Sequence, residues 1–228
     1  MDKGLSPAIF VAGASALDFL NSIATPVDEV VEWIGDGADF LSWMKQAGLL
    51  SDDEIKTIRQ HMTASQLNAV AKDARTLRDW FRRFVRENMG RPLKRRVLDH
   101  LGPLNRLLGS DAVFWQIEPS GTFQCQGENE PSLSTIFHLR RRRHWRKPAS
   151  LLSPLAEEIA KFISSADFKH IKACEGGKCT LLFLDQSNRL ARRWCSMAIC
   201  GNRAKAAAFA ARSKRTKRRA RKMRSTGK

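Results

Sequence analysis

Two cysteine pairs hold the residues whose types and spacing most directly suggest chemistry. CEGGKC runs from Cys174 to Cys179 and CSMAIC from Cys195 to Cys200, so the spacing is C-x4-C-x15-C-x4-C. Four cysteines in two short pairs, with enough chain between them for one hairpin, can converge on a single tetrahedral ion. Each thiolate needs its charge stabilised, which backbone N–H groups turned toward sulfur achieve, and Gly176, Gly177 and Gly201 sit where such turns are needed. Lys178, Arg192, Arg193, Arg203 and Lys205 surround the pairs in sequence and offset the negative charge of a four-thiolate site. The expectation is one structural Zn2+ per chain on Cys174, Cys179, Cys195 and Cys200. An iron–sulfur cluster, disulfides or free thiols are the alternatives, and His170 in place of one thiolate is a variant. A catalytic metal is disfavoured, because catalytic sites keep an open position and usually include His or a carboxylate.

Charge is distributed unevenly around this site. The 228-residue chain carries a formal +17, but residues 1–139 hold 15 Lys/Arg against 18 Asp/Glu, whereas residues 140–228 hold 25 against 5. The first part is therefore −3 and the second +20. Such asymmetry points to a polyanionic partner, of which nucleic acid is the commonest. The segment 212–228 alone has ten Lys/Arg and no acid. Without an anion its like charges repel, so it is expected to be disordered alone and more ordered on phosphate. No run of eighteen apolar residues exists, so no membrane span is expected. Ala12-Gly13-Ala14 follows too short an apolar stretch to read as a signal peptide. The expected location is cytoplasmic, where paired cysteines are more often metal ligands than disulfides.

The elements that must position the cysteines read as mainly α with a small β element. Ile9–Val11 suggests a short strand and SALDFLNSIA a helix with Leu17, Leu20 and Ala24 on one face. Helices follow over DGADFLSWMKQAGLL, with Phe40, Trp43 and Met44 inward and Gly48 as the stop, and from a Ser51/Glu54 capping box to about Met62. The stretch from Ala64 to Asn88 reads as a long amphipathic helix with Arg82, Arg83 and Arg86 on its solvated face. VFWQI and GTFQC predict a hairpin turning at Glu118–Ser120, with LSTIFHL as a third strand and Cys125 a small packed residue. RRRRHWRK precedes a helix begun at Ser153-Pro154. Periodicity stops near Ala166–Ala173, which gives a helical domain over 1–165, a cysteine module over 166–211 and a basic arm over 212–228. Within the module, TLLFLD and ARRWC are expected to pair across a turn at Gln186-Ser187-Asn188, and NRAKAAAFAAR to be helical, giving a treble-clef-like arrangement.

Other residue types yield less. Asp18 and Asn21 project from one side of the first helix, and are read as a hydrogen-bonded pair fixing it against a neighbouring loop, with a small-molecule pocket as the alternative. His61, His100, His138 and His144 show no ligand spacing, and no catalytic Ser/His/Asp or Cys/His set can be assembled, so an enzyme is not expected. The six Trp read as core, Trp145 and Trp194 being the exceptions because arginines flank them.

FLDQSNRLARRWCSMAICGNRAK, beginning at Phe183, resembles the CGNR zinc finger of bacterial proteins. It carries that finger's F-x-D-x-S segment, its R-R-W-C-S-M block and the signature Cys200, Gly201, Asn202 and Arg203. The likeness covers about residues 171–212. Upstream, ALDFLNS from Ala16 and DFLSWMKQAGLL from Asp39 are similar to the ABATE domain that usually precedes this finger. Two departures are the long basic tail and Asn21-Ser22, where the family more often has Asn-Thr. The family is described as stress-induced transcriptional regulators with DNA binding proposed for the finger, so the resemblance implies a bacterial, nucleoid-associated regulator. Its expected partner is double-stranded DNA, met by Arg192, Arg193, Arg203, Lys205, Arg212, Lys214, Arg215, Lys217, Arg218 and Arg219. The N-terminal domain would then supply homodimerisation or effector sensing. An RNA- or ribosome-associated protein is the rival class, and an enzyme with its pocket in the N-terminal domain a third.

Overall fold

The computed structural model describes residues 7–26, 28–110, 113–125, 132–145 and 147–225, the side chains of 121–125, 132–135 and 217–225 excepted. Among the described residues the α-helices are α1 (Ser15–Leu20), α2 (Gly37–Gln46), α3 (Asp52–His61), α4 (Ala64–Asn88), α5 (Gly102–Gly109), α6 (Ser153–Ser165) and α7 (Asn202–Ser225). Three two-stranded antiparallel sheets accompany them: β1 (Ile23–Ala24) with β2 (Val31–Glu32), β3 (Val113–Cys125) with β4 (Ser132–Arg143), and β5 (Ile171–Ala173) with β6 (Leu182–Leu184). None of these helices is long and apolar enough to cross a membrane.

α4 is the frame. Thr63 and Gln66 form a capping box at its start, satisfying two of the orphan N–H donors of its first turn. One face buries Leu67, Val70, Ala74, Leu77, Phe81, Phe84 and Val85 as the periodicity predicts. The opposite edge is a row of arginines that grips the chain between α1 and α2. Arg75 Nη1 donates to the carbonyls of Ile34 and Gly35 at 2.8 Å each. Arg78, 2% exposed, forms a bidentate pair with Glu32 at 2.6 and 2.7 Å and also donates to Ser22 Oγ at 3.0 Å. Arg82 donates to the carbonyls of Leu20 and Ile23. Burial, followed by repulsion from Arg86 and Arg78, lowers its pKa to about 10. Arg82 is therefore not on the solvated face that the sequence suggested, although Arg83 and Arg86 are.

The same grip ends α1 early. A helix was expected through Ala24, but with the Leu20 and Ile23 carbonyls held by Arg82 the chain leaves the helix at Asn21, and Ile23–Ala24 pairs with Val31–Glu32 instead. Ile9–Val11, expected as a strand, has no regular structure. α2 and α3 follow expectation, with Phe40, Trp43 and Met44 buried, Gly48 at φ 70° and the Ser51/Glu54 capping box formed.

β3 departs from expectation most. Val113–Cys125 is one strand, continuous through Glu118–Ser120, with a bulge between Pro119 and Gly121 where a turn was predicted. Pro and Gly are signals shared by turns and bulges, and here the cross-strand pairs on both sides of the bulge keep the ladder running. LSTIFHL lies in its partner β4, which continues to Arg143. Cys125 lies at the end of β3, and its side chain is outside the described residues.

A single core runs through the molecule. Phe168, Ile171, Leu181, Leu182, Phe183, Cys195 and Cys200 join the buried residues of α1, α2, α4 and α6 in one cluster, so apolar contact crosses the segment expected to separate two units. Phe168 meets Phe84 edge-on at 6.0 Å and Phe162 at 5.5 Å.

Removing one partner of a buried ion pair leaves an uncompensated charge, which costs about 3 to 5 kcal/mol. Glu32→Ala should therefore lower the urea unfolding free energy by about that amount. A Glu32→Leu, Arg78→Met double variant should recover most of it, and equal losses for the single and double variants would contradict the buried-charge account.

Candidate metal centre

The first cysteine pair is the turn of the β5–β6 hairpin. Cys174 N donates to Leu181 O at 2.9 Å and Cys179 N to Gly176 O at 2.9 Å, which closes a tight knuckle. β6 therefore pairs with Ile171–Ala173 and not with ARRWC, because the knuckle itself supplies the reversal that antiparallel strands need. Residues 186–195 form a loop organised by Asp185, buried at 1% exposure. Its carboxylate accepts from Ser187 N (3.0 Å), Ser187 Oγ (2.6 Å), Arg192 N (2.9 Å) and Lys172 Nζ (2.7 Å). Burial alone would raise its pKa, but the Lys172, Ser187 and Arg192 bonds outweigh it and hold the carboxyl well below the usual carboxylate range.

The second pair sits at the entrance to α7. Ser196 Oγ accepts from Ile199 N at 2.9 Å, and Ser196 O accepts from Cys200 N and Gly201 N at 3.1 and 3.0 Å, winding Met197–Gly201 into one π-helical turn. All four sulfurs lie within 4.8 Å of one another, the only such His/Cys/Asp/Glu cluster among the described residues. Cys179 Sγ and Cys195 Sγ are 3.9 Å apart. Tetrahedral Zn–S bonds of about 2.3 Å require about 3.8 Å between sulfurs, whereas a disulfide requires about 2.05 Å.

Stabilisation of the sulfurs matches a thiolate site. Cys174 Sγ accepts from Gly176 N at 3.4 Å and Cys195 N at 3.2 Å, and Cys200 Sγ accepts from Arg203 Nη2 at 3.4 Å. A Cβ on Gly176 would lie 2.8 Å from Cys200 Sγ, and one on Gly201 would lie 2.5 Å from Met197 Sδ. At Gly201 the added Cβ would meet the flexible end of the exposed Met197 side chain, and its N–H goes to Ser196 O and not to sulfur, while Gly177 lies in the open. A hydrogen bond from Cys195 lowers the Cys179 pKa to about 5, while the Cys179 sulfur, and then burial, raise that of Cys195. Burial pushes Cys200 to about 11. Ionising one of these sulfurs therefore hinders the next, a repulsion that a bound divalent cation would relieve. The four cysteines fit and hold one structural Zn2+, its coordination closed by sulfur.

Around this centre the N-terminal residues cover the outer edge of β6. Asn21 Nδ2 donates to Leu182 O at 2.8 Å and Asn21 Oδ1 accepts from Leu182 N at 3.1 Å, so a side-chain amide replaces a neighbouring strand. Leu184 N donates to Ala12 O at 2.8 Å, and Thr25 N to Thr180 Oγ1 at 2.9 Å. Asp18 Oδ1 accepts from Ala12 N at 2.9 Å. Burial raises its pKa to about 6 against the lowering effects of the Ala12 and Val11 N–H groups and Arg192. The polar atoms of Asp18 and Asn21 are thus engaged with backbone at two different places, Asp18 with the residues before α1 and Asn21 with β6. Ser22 accepts from Arg78 Nη1 through its hydroxyl.

The arginines expected to face nucleic acid divide into two groups. Arg192 donates to Trp194 O, Cys195 O and Val11 O and lies 4.2 Å over the Phe183 ring, so its guanidinium is committed to the seam. Arg203 donates to Ile199 O at 2.7 Å and Pro26 O at 2.6 Å as well as to Cys200 Sγ, tying α7, the metal centre and the loop before α2 together. Arg193 is exposed, pairs with Glu175 at 2.5 Å and stacks 5.0 Å from Trp194. Lys205, Arg212, Lys214 and Arg215 are exposed on α7. Lys217, Arg218 and Arg219 lie on the same helix with side chains outside the described residues. α7 continues to Ser225 through the arm expected to be disordered when alone, consistent with the high helix propensity of Ala, Arg and Lys. Trp145 is buried. Asp185, Ser196, Thr180 and Pro26 were not anticipated; the D-x-S spacing, which favours an Asx-type turn, was the available signal for Asp185.

Fold and site together define a zinc-knuckle module docked on a helical domain. Residues 13–166 match the ABATE family, described as "Putative stress-induced transcription regulator", and residues 170–213 match the CGNR zinc finger. The chain belongs to the ABATE family and carries its C-terminal CGNR finger. That description is of a regulator, not of an enzyme. No curated protein matches the chain.

Metal analysis should return one zinc per chain, and Cys195→Ser should abolish it; iron with visible absorbance, or four freely titrating thiols in native protein, would contradict the assignment. Asp18 gives a pH dependence of defined sign. Its folded pKa of about 6 exceeds the ordinary value of about 3.9, so it favours the folded state below the lower value and that contribution is lost as pH rises through the higher one. Stability of the wild type relative to Asp18→Asn should fall by roughly 1 kcal/mol between pH 5 and 7, and a flat or rising difference would show that Asp18 is not destabilised by its burial.

Proposed function

We propose that the protein is a DNA-binding transcription regulator in which α7 is the nucleic-acid element. The observation that carries this reading is the uncompensated charge of α7: Lys205, Arg212, Lys214 and Arg215 are exposed and, among the described residues, take part in no ion pair. A helix of one charge sign whose cations are exposed from Lys205 to Arg215 is suited to a polyanion. Its 24 residues span about 36 Å at 1.5 Å per residue. A helix about 10–12 Å across fits the B-DNA major groove, about 12 Å wide, whereas the deep narrow major groove of A-form RNA excludes it. This favours duplex DNA over RNA.

In this reading Arg192 and Arg203 set the geometry of the finger, and contact falls to Arg193, Lys205 and the cations of the arm at Arg212, Lys214, Arg215, Lys217, Arg218 and Arg219. The N-terminal domain acts on the finger through the seam at β6, so that a change in α1 or the chain before α2 reaches the base of α7. Asp18 and Asn21 then serve this coupling, not a ligand pocket.

Removing residues 212–228 should weaken binding to all duplexes alike. If about five arm cations each neutralise a phosphate, the slope of log K against log salt becomes shallower by roughly 4 to 5, since each contributes about 0.9. Arg203→Ala should instead lower thermal stability and zinc retention with no change in the ratio between a selected and a scrambled site. An unchanged slope on truncation would remove the arm from the binding surface. A changed site ratio for Arg203→Ala at full zinc occupancy would restore Arg203 to base readout.

A further inference from the structure

Between Asn202 and Thr216, α7 consists of cations, alanines and short polar residues with one exception, the aromatic ring of Phe209. From Lys205 to Arg212 every residue is exposed, and Phe209 is 69% exposed. A single exposed apolar side chain is ordinary where a packed body lies behind it. Phe209 instead stands on an exposed stretch of helix, with Ala208 before it and Ala210 after it. Phe ranks well below Ala in helix propensity, so the ring is unfavourable for the free helix that carries it.

Its neighbours on the helix surface define a pattern. At 3.6 residues per turn, steps of four, three and four place Lys205, Phe209, Arg212 and Thr216 on one stripe. Thr216 Oγ1 donates to Arg212 O at 3.1 Å, so that hydroxyl is used within the helix. Lys205 and Arg212 take part in no ion pair among the described residues. The stripe thus presents a ring between two uncompensated cations. Cations alone suffice for a phosphate backbone; a ring between them matches a surface that is anionic at its edges and apolar between. The major groove of duplex DNA has that character, with phosphates along both edges and the thymine C5-methyl as the apolar group on its floor. The major groove of A-form RNA is too deep and narrow for side chains to read.

Resting on the nucleic-acid reading of α7, we propose that Phe209 is a specificity-determining residue that packs on thymine methyl groups in the major groove, while Lys205 and Arg212 reach the phosphates at its edges. The two cations lie about 10 Å apart along the helix axis. Their long stems carry the charge outward to the groove edges and leave the ring to the floor. Specificity then comes from an apolar contact that an A·T pair offers and a G·C pair does not. Phe209 precedes the arm, so the preference is retained, at lower affinity, when residues 212–228 are removed.

The test titrates full-length zinc-loaded protein with two duplexes of one alternating A·T sequence, one carrying thymine and the other uracil throughout, which differ only in the C5-methyl. The wild type should bind the thymine duplex more tightly, by about fourfold for each methyl the ring buries. Phe209→Ala should bind the two alike, with zinc content and the slope of log K against log salt unchanged, since no cation is lost. Phe209→Leu, which keeps an apolar side chain, should retain part of the preference. A G·C duplex carrying 5-methylcytosine, which sets a methyl in the same groove, should gain affinity over its unmethylated form for the wild type but not for Phe209→Ala. A wild type that binds no duplex overturns the nucleic-acid reading and this proposal with it. Duplex binding that ignores the methyl overturns the assignment of Phe209 alone, as does a thymine preference that Phe209→Ala retains. A Phe209→Ala loss confined to single-stranded DNA would make the ring a stacking platform and equally overturn it.

Discussion

Four cysteine sulfurs within 4.8 Å of one another repel when ionised unless a cation lies between them, and this is the constraint around which residues 171–201 are arranged. The pairs come from two places, a hairpin turn and a π-helical turn, that make little structure separately. β5 and β6 have three residues each, well below what a free hairpin needs. A metal held by all four sulfurs would join them into one unit. Its sulfurs are buried or half-buried, and Arg203 bonds both the Cys200 sulfur and the Pro26 carbonyl.

That last contact shows how the centre is coupled to the rest of the chain. The outer edge of β6 would present unpaired N–H and C=O groups, and the N-terminal residues satisfy them through Asn21 and Ala12. Leaving a buried backbone group unsatisfied costs about 1 to 3 kcal/mol, so the two Asn21 bonds alone are comparable to a large fraction of the stability of a marginal domain. Arg192 adds a third link by reaching Val11 from the loop that Asp185 organises. A finger fastened this way moves with the helical domain.

Local signals were legible where the chemistry is local. The capping box at Ser51, the inward face of α4, the C-terminal stop at Gly48 and the four ligands all follow from spacing and residue type. What failed was partner choice over distance. TLLFLD reads as a strand, but nothing in its sequence says that Ile171–Ala173, and not ARRWC, completes the hairpin. Arg78 and Arg82 look like any basic helix face until the chain from Leu20 to Glu32 is folded over them. Pro119 and Gly121 carry the same signal for a bulge as for a turn, and only the pairing of Glu118 with His138 across the ladder separates the two. Arg203 has the same ambiguity, since an arginine beside a zinc ligand can face a phosphate or the protein's own carbonyls, and Pro26 lies 177 residues away in sequence.

α7 brings these constraints together. A helix of like charges would not be stable through propensity alone, because nucleation is unfavourable and the repulsion grows along its length. Here nucleation is provided by the metal centre: Ser196 winds the first turn, Cys200 fixes its end, and the helix begins at Asn202 with its positive pole directed at a cluster of thiolates. Ala204, Ala206, Ala207 and Ala208 then carry it outward at the lowest conformational cost. Beyond Arg212 that support is exhausted and basic residues dominate, so the far end is the part of the helix with most to gain from phosphate. On the proposed reading, zinc at one end and a polyanion at the other would favour the same conformation. A ligand that orders the distal arm is linked through the helix to the module that starts it.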